Sequence, residues 1–242
     1  MDSFRYFLAA SLVTSIALGA TSIVFGQNEN TVHVFPQVVD GRQSDGSVYR
    51  SVLIATNLSP TATSCTFTTT GLPVNRFAGP TSFTLSVGYT QLNITTGTNS
   101  IVSGFGTLRC SQPVQASLIY TSSAPTGVTS GMATVFSAPR VTYAGIPVLS
   151  GTGLRFGIAI ANTASTPITM SFLLNLADGT TNGRTVQVPA DSQMVRFVDE
   201  LVAVPSVASL NIFEISSSSQ FYVTGLMFDG AVFTTLVPAT LP

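Results

Sequence analysis

"SVLIATNLSPTATSCTF", residues 51–67, returns in altered form as "FGIAIANTASTPITMSF", residues 156–172. Each copy opens with a short run of β-branched and small apolar residues. Each then places an asparagine, Asn57 or Asn162, before a Ser/Thr/Pro turn and closes on a second run ending in Phe67 or Phe172. Runs of this length bounded by turn residues read as strands. A strand–turn–strand phrase written twice implies a duplicated unit.

At the same offset of 105 residues, Leu108 meets Phe213, Ser111 meets Ser216 and Gln115 meets Gln220. The flanks agree once loops of unequal length are allowed. "VFPQV" (34–38) matches "GIPVL" (145–149), and "VFSAP" (135–139) matches "VFTTLVP" (232–238). Each copy then makes one domain of roughly 95–110 residues, an ordinary domain size.

Elsewhere the chain keeps the same style. "SFTLSV", "VQASLIYT", "MATVFSA", "RTVQVP", "NIFEIS" and "FYVTGLMF" are strand runs separated by Gly, Pro, Ser and Asn clusters. Turn signals recur about every 8–12 residues, the spacing of an all-β sandwich. The expected fold is all-β: two tandem Ig-like antiparallel β-sandwich domains related by duplication, over 31–139 and 140–242. "SAPRVTYAGIP" (137–147) reads as a short connection stiffened by Pro139 and Pro147. One helical turn is expected in "SQMVRFVDELV", where Met194, Phe197, Val198 and Leu201 share a face.

The N-terminal "MDSFRYFLAASLVTSIALGATSIVFGQ" carries an early arginine, an apolar stretch and small residues before Gln27. It reads as a secretory signal peptide over residues 1–26. The alternative is an uncleaved anchor, because Phe7 to Phe25 nearly reaches spanning length. No other segment has the length and apolarity of a transmembrane helix, so no membrane span is expected in the mature chain.

Two cysteines, an even number, suit an oxidising compartment. At the offset of 105, Cys65 lies opposite Met170 and Cys110 opposite Ile215. Both replacements are apolar, as expected if both cysteines face the interior. A Cys65–Cys110 bridge in the first copy would then be replaced by packing in the second; two separate buried thiols are the alternative.

The second copy, "GLRFGIAIANTASTPITMSFLLNLADGT" with "VQVPADSQMVRFVDELV" and "FYVTGLMFDGAVFTTLVPA", resembles a repeat of secreted tandem β-sandwich proteins of unknown function from Acidobacteria and related soil bacteria. That repeat has an "ALAN…PVT" strand pair, a "DG" hairpin, a "FLDELF"-like segment and a closing "FTTLP". The resemblance covers residues 145–240; the first copy lacks the "DELF"-like segment. It implies an extracellular β-sandwich and no established activity, and it carries no functional residues onto this chain.

Composition narrows function. The chain is 45% hydrophobic and 8% charged, with a net charge of −1 and arginine as its only strong base. That gives no electrostatic footprint for nucleic acid. His33, the one histidine, sits in "TVHVFPQ" without a nucleophile-elbow motif, and reads as structural. One histidine and two cysteines cannot build a zinc site. "VVDGRQSDGS" places Asp40 and Asp45 in one Gly-rich stretch, a weak calcium candidate whose spacing does not match an EF-hand. Asp199 and Glu200 are adjacent on the helical turn and read as a solvated face, with Asp199 near Arg196. No catalytic residue and no cofactor is expected.

Carbohydrate binding needs exposed aromatic platforms. Trp is absent. Of Tyr49, Tyr89, Tyr120, Tyr143 and Tyr222, only Tyr89, in "GYTQLN", has a loop-like setting and is the weak ligand-binding candidate. "NLS" at 57 and "NIT" at 93 match glycosylation sequons, incidental in a bacterial-looking chain. The expected role is a secreted, non-enzymatic structural or adhesive protein of the cell surface or extracellular matrix. The alternative is a carbohydrate-binding module. Expected partners are cell-wall or extracellular polysaccharide, or further copies of the chain.

Overall fold

The computed structural model describes residues 30–98, 100–230 and 232–240, so the expected signal peptide at 1–26 lies outside the described residues. Seven strands come from the first half: β1 (Asn30–Arg42), β2 (Val48–Thr56), β3 (Thr63–Thr70), β4 (Ser82–Leu85), β5 (Thr90–Ile94), β6 (Val102–Ser123) and β7 (Thr129–Phe136). Seven more follow: β8 (Arg140–Ser150), β9 (Arg155–Asn162), β10 (Ile168–Asn175), β11 (Thr181–Val188), β12 (Ser192–Phe197), β13 (Ser209–Asp229) and β14 (Val232–Leu236). Among the described residues one α-helical turn, α1 (Val198–Leu201), follows β12.

The chain is all-β, with two antiparallel sheets of seven strands, one from each half. The long strand β6 organises the first sheet. Its leading part pairs with β1 and β3, and its trailing part with β2 and β7. β4 extends the first layer beyond β3, and β5 extends the second beyond β2. One apolar core lies between the layers: Phe35, Phe67 and Leu108 face Leu53, Ala116, Leu118 and Val135. The second sheet repeats every pairing except the short one between β1 and β2. β13 takes β8 and β10 on one layer and β9 and β14 on the other, with β11 and β12 at the outer edges.

The repetition extends to irregularities. β6 changes register against β1 between Arg109 and Val114, and β13 changes register against β8 between Ser216 and Phe221. Such an irregularity bends a strand, which lets one strand serve both layers. Val114 and Phe221 sit at the same point after it, and both are fully buried. Pro113, which cannot donate to a ladder, falls inside the first irregularity.

The pairings correct the single offset expected from sequence. Phe67 faces Leu108 and Phe172 faces Ile215. If Phe67 and Phe172 correspond, Leu108 corresponds to Ile215, two residues beyond the expected Phe213. Gln115 therefore corresponds to Tyr222, and Cys110 to Ser217. In the closing strand, Ile119 faces Thr134 and its counterpart Leu226 faces Thr235, so Val135 corresponds to Leu236 and not to Val232. The segments between β3 and β6 and between β10 and β13 differ by two residues. An even difference preserves which face each side chain takes. An alternating pattern therefore looks correct at either offset.

Two local expectations also change, and the expected disulfide is present. The segment at 192–201 is helical only over Val198–Leu201; Ser192–Phe197 is the edge strand β12. Pairing with β9 outweighs the helical spacing there. The connection between halves is shorter than expected, because β8 begins at Arg140 and Pro147 lies within it, opposite Ile212. Cys65 and Cys110 are directly opposite on β3 and β6, disulfide-bonded with Cα atoms 4.1 Å apart.

The two halves pack together. β9 is "RFGIAIAN", and all of it beyond Arg155 is buried, on both faces. One face, with Ile158 and Ile160, enters the core of the second half. The other carries Ala159 and Ala161, and Ala161 lies with Tyr222 against Val34 and Phe105 of the first half. Leu226 and Phe233 join the first half's core. Gln193 Nε2 donates to Pro36 O at 2.6 Å and Gly104 O at 3.0 Å, and Thr235 Oγ1 donates to Thr134 O at 2.7 Å.

Candidate functional site

The repeated asparagines are structural devices, alike in both halves. Asn57 Nδ2 donates to Thr61 O and Leu85 O, and its Oδ1 accepts from Ser59 N. Asn162 Nδ2 donates to Thr166 O, Val188 O and Pro189 O, and its Oδ1 accepts from Ala164 N. Both are fully buried. Each side chain satisfies backbone groups of a turn and of a neighbouring strand that would otherwise be buried without partners. The "N…P" signature therefore encodes a turn lock. A sequon at Asn57 has no accessible acceptor.

The structure does not bring the weak calcium candidates into one site. Asp40 is fully buried in β1. Its Oδ1 accepts from Gly97 N at 2.7 Å and its Oδ2 from Arg76 Nη1 at 3.1 Å. Arg76 Nη2 also reaches Ser100 O, so this ion pair ties the 71–101 segment to β1. Asp45 is exposed and closes a turn by accepting from Ser47 N at 2.8 Å. The backbone and side-chain hydrogen bonds from Ser47 hold its carboxyl below the usual carboxylate value. A wide concavity of about 650 Å3 nearby is lined by Arg42, Gln43, Ser44, Thr98, Ser100 and Ile101, with no carboxylate among them. Among the described residues, no three His, Cys, Asp or Glu side chains are grouped as a metal site.

His33 is buried on β1, its Nε2 donating to Val114 O at 3.0 Å. Asp199 pairs with Arg155, not with Arg196 as expected: Arg155 Nη2 lies 3.0 Å from its Oδ1, and the guanidinium also covers the Phe197 ring at 3.6 Å. β9 and α1 meet at that point, which sequence spacing along α1 does not reveal. Glu200 Oε2 instead accepts from Phe197 N. The two acids thus serve separate partners.

The tyrosines divide by environment. Tyr120 is buried in the first core and donates to Gln37 O, and burial pushes its phenol well above the usual value. Tyr222 packs between the halves. Tyr143 lies on the outer face of β8, its phenol raised first by burial and then by Glu214. Tyr89 is 68% exposed on the β4–β5 turn, whose backbone is tied to Asn57. Leu58 and Val87, on the same pair of turns, are also exposed.

The exposed apolar residues concentrate on two sheet faces. On the second layer of the first half, Leu92, Ile94, Met132 and Phe136 are exposed, and Val52, Ile54 and Ile119 between them are half-buried. On the first layer of the second half, Leu149, Leu210 and Ile212 are exposed beside Pro147 and Tyr143. Neither face was singled out from sequence. The available signal was "VLIA" at 52–55 in β2: alternation ordinarily places polar residues outside, and here both parities are apolar.

No helix among the described residues is long and apolar enough to cross a membrane. The chain matches no family profile, no curated protein and no solved structure.

Proposed function

We propose that this chain is a secreted, non-enzymatic structural or adhesive protein of a bacterial cell surface or extracellular matrix. The observation that carries this reading is the joining of two duplicated β-sandwiches through an apolar interface, with further apolar sheet face left exposed at either side of it. Such an assembly supplies fixed surface. The ionisable groups support the same reading, because Asp40, Asp199 and Glu200 are engaged in separate structural contacts. The exterior, poor in charge, offers little repulsion between molecules. The resemblance of the second copy to secreted tandem repeats favours an extracellular setting, as does the disulfide.

The second reading, a carbohydrate-binding module, rests on Tyr89, an exposed aromatic ring at a turn with apolar neighbours. The experiment is retention of purified protein on cell-wall polysaccharides and on intact cells, beside a broad hydrolase screen. Retention without turnover is the expected result. Turnover abolished by changing one acidic residue overturns the proposal. Saturable glycan binding lost in Tyr89→Ala transfers it to the second reading. N-terminal sequencing of exported protein tests cleavage near residue 26.

A further inference from the structure

The contact between the halves is heterologous. The first half contributes the outer face of β1 and β6, centred on Val34 and Phe105, and the edge at β7, where Phe233 meets Tyr120 and Thr134 O accepts from Thr235. The second contributes the outer face of β9, β12, β13 and β14, with Ala161, Gln193, Tyr222, Leu226 and Phe233. Because the halves are duplicates, each carries both kinds of face. Within the first half's counterpart of the β9 face, the β7 edge already meets β14 at Thr134, while the exposed apolar side chains of β5 and β7, and those of the second half's counterpart of the β1 face, are left uncovered.

Register identifies the counterparts. Thr70 faces Phe105 as Asn175 faces Ile212, so Ile212 holds Phe105's place. Phe105 is 4% exposed, and Ile212 is 43% exposed. Pro147, opposite Ile212, stands where Pro36 stands. On the other face, Val52 faces Ile94 as Gly157 faces Phe197, so Ile94 and Leu92 correspond to Phe197 and Val195. Thr121 faces Met132 as Phe228 faces Phe233; Met132 is 62% exposed where Phe233 is 7% exposed. Thr134 corresponds to Thr235, whose hydroxyl bonds across the internal interface.

We infer that the chain self-associates head to tail: the β2/β5/β6/β7 face of one copy docks on the β8/β13 face of the next, repeating the contact already made between its own halves. Both free faces are largely apolar, as the internal contact is, with Glu214 on the second held by Asn175, and each is the duplicate of a surface that binds the other kind. An interface between unlike faces does not satisfy itself in a pair. It leaves one free face at each end and propagates unless the rotation closes a ring. Large exposed apolar faces mark such interaction sites. The inference deepens the structural reading proposed above.

The test uses sedimentation and light scattering of the full chain, with Ile212→Arg blocking one face and Leu92→Arg the other. Both positions are exposed, so neither change disturbs a core. Wild-type protein should form concentration-dependent oligomers. Each single variant should bind its own kind at least about 30-fold more weakly, the effect of losing a central interface residue. An equimolar mixture of the two should form a 1:1 dimer and nothing longer, because only one pair of intact faces remains. Wild-type protein monomeric up to roughly 1 mM, the weak end of specific association, overturns the inference. So does oligomerisation unaffected by either variant, or a mixture that stays monomeric while wild type associates. Polysaccharide and cell retention, measured on the single variants, report separately on the structural reading. Retention with no association defeats the head-to-tail contact alone.

Discussion

Asn162→Asp replaces a neutral amide with a carboxyl group of the same shape that carries a charge when ionised. In the native protein the Asn162 amide donates toward Thr166 O, Val188 O and Pro189 O, at 2.9, 3.3 and 2.8 Å, from a fully buried position. A carboxylate there has no proton to donate and faces three carbonyl oxygens. Only the bond from Ala164 N, at 3.0 Å, survives. Each buried group left without a partner costs about 1–3 kcal/mol. Discounting for the part-exposed carbonyls, the ionised variant should lose roughly 3–5 kcal/mol of stability. The carbonyls favour the protonated acid, which can donate once, so the folded-state pKa of this Asp rises above its unfolded value near 3.9. A raised folded pKa means that the group's contribution is present below the unfolded value and is lost as pH rises through the folded value. The deficit relative to wild type should therefore shrink toward pH 4 and be largest at neutral pH. Urea unfolding of both proteins across pH 4–8 reads it directly. Asn57→Asp, facing two carbonyls rather than three, should behave alike with a smaller deficit. A pH-independent deficit, or one below about 1 kcal/mol at pH 7, the scale of a single ordinary hydrogen bond, would refute the account of these asparagines as turn locks.

Removing the disulfide as Cys65→Ser/Cys110→Ser should cost about 4 kcal/mol in the chain-entropy model for a 45-residue separation, read as a lower urea midpoint with loss of amide protection concentrated in the first half. Gly104→Ala should cost about 3 kcal/mol, because a Cβ there would lie 1.9 Å from Thr70 O and backbone has to move; thermal unfolding of the purified variant measures it. Tyr120 has a folded pKa raised by burial above 10.0, so its neutral form supports the fold below that pH and its contribution falls away as pH rises beyond it. The wild-type urea midpoint should fall above pH 10 more steeply than that of Tyr120→Phe, which should itself lose about 1 kcal/mol at pH 7 with the bond to Gln37 O.

The sequence by itself determined the strands and the duplication, which rest on local alternation and on a turn phrase whose asparagine does the same work in each copy. Neither depends on distant contacts. The Cys65–Cys110 bridge forms as expected, although register places Ser217, not Ile215, at the counterpart of Cys110. Register was legible only to within two residues, because period-two patterning repeats under an even shift; tertiary pairing of β6 and β13 decided it. A different limit misplaced β12: its helical spacing is local, and the edge of β9 that recruits it as a strand is not. Asp40 read as a loop ligand because Asp-Gly pairs favour turns; only the fold brings Arg76 and Gly97 to it and buries it. The surface of the second half was least legible. Ala159 and Ala161 are both fully buried, and Val34 and Phe105 pack against Ala161 from the other half. In the first half the same positions carry Ile54 and Thr56 with no covering half. Strand alternation records which face is buried, and it holds no record of what buries the opposite one. That second covering arises only when two complete sheets meet.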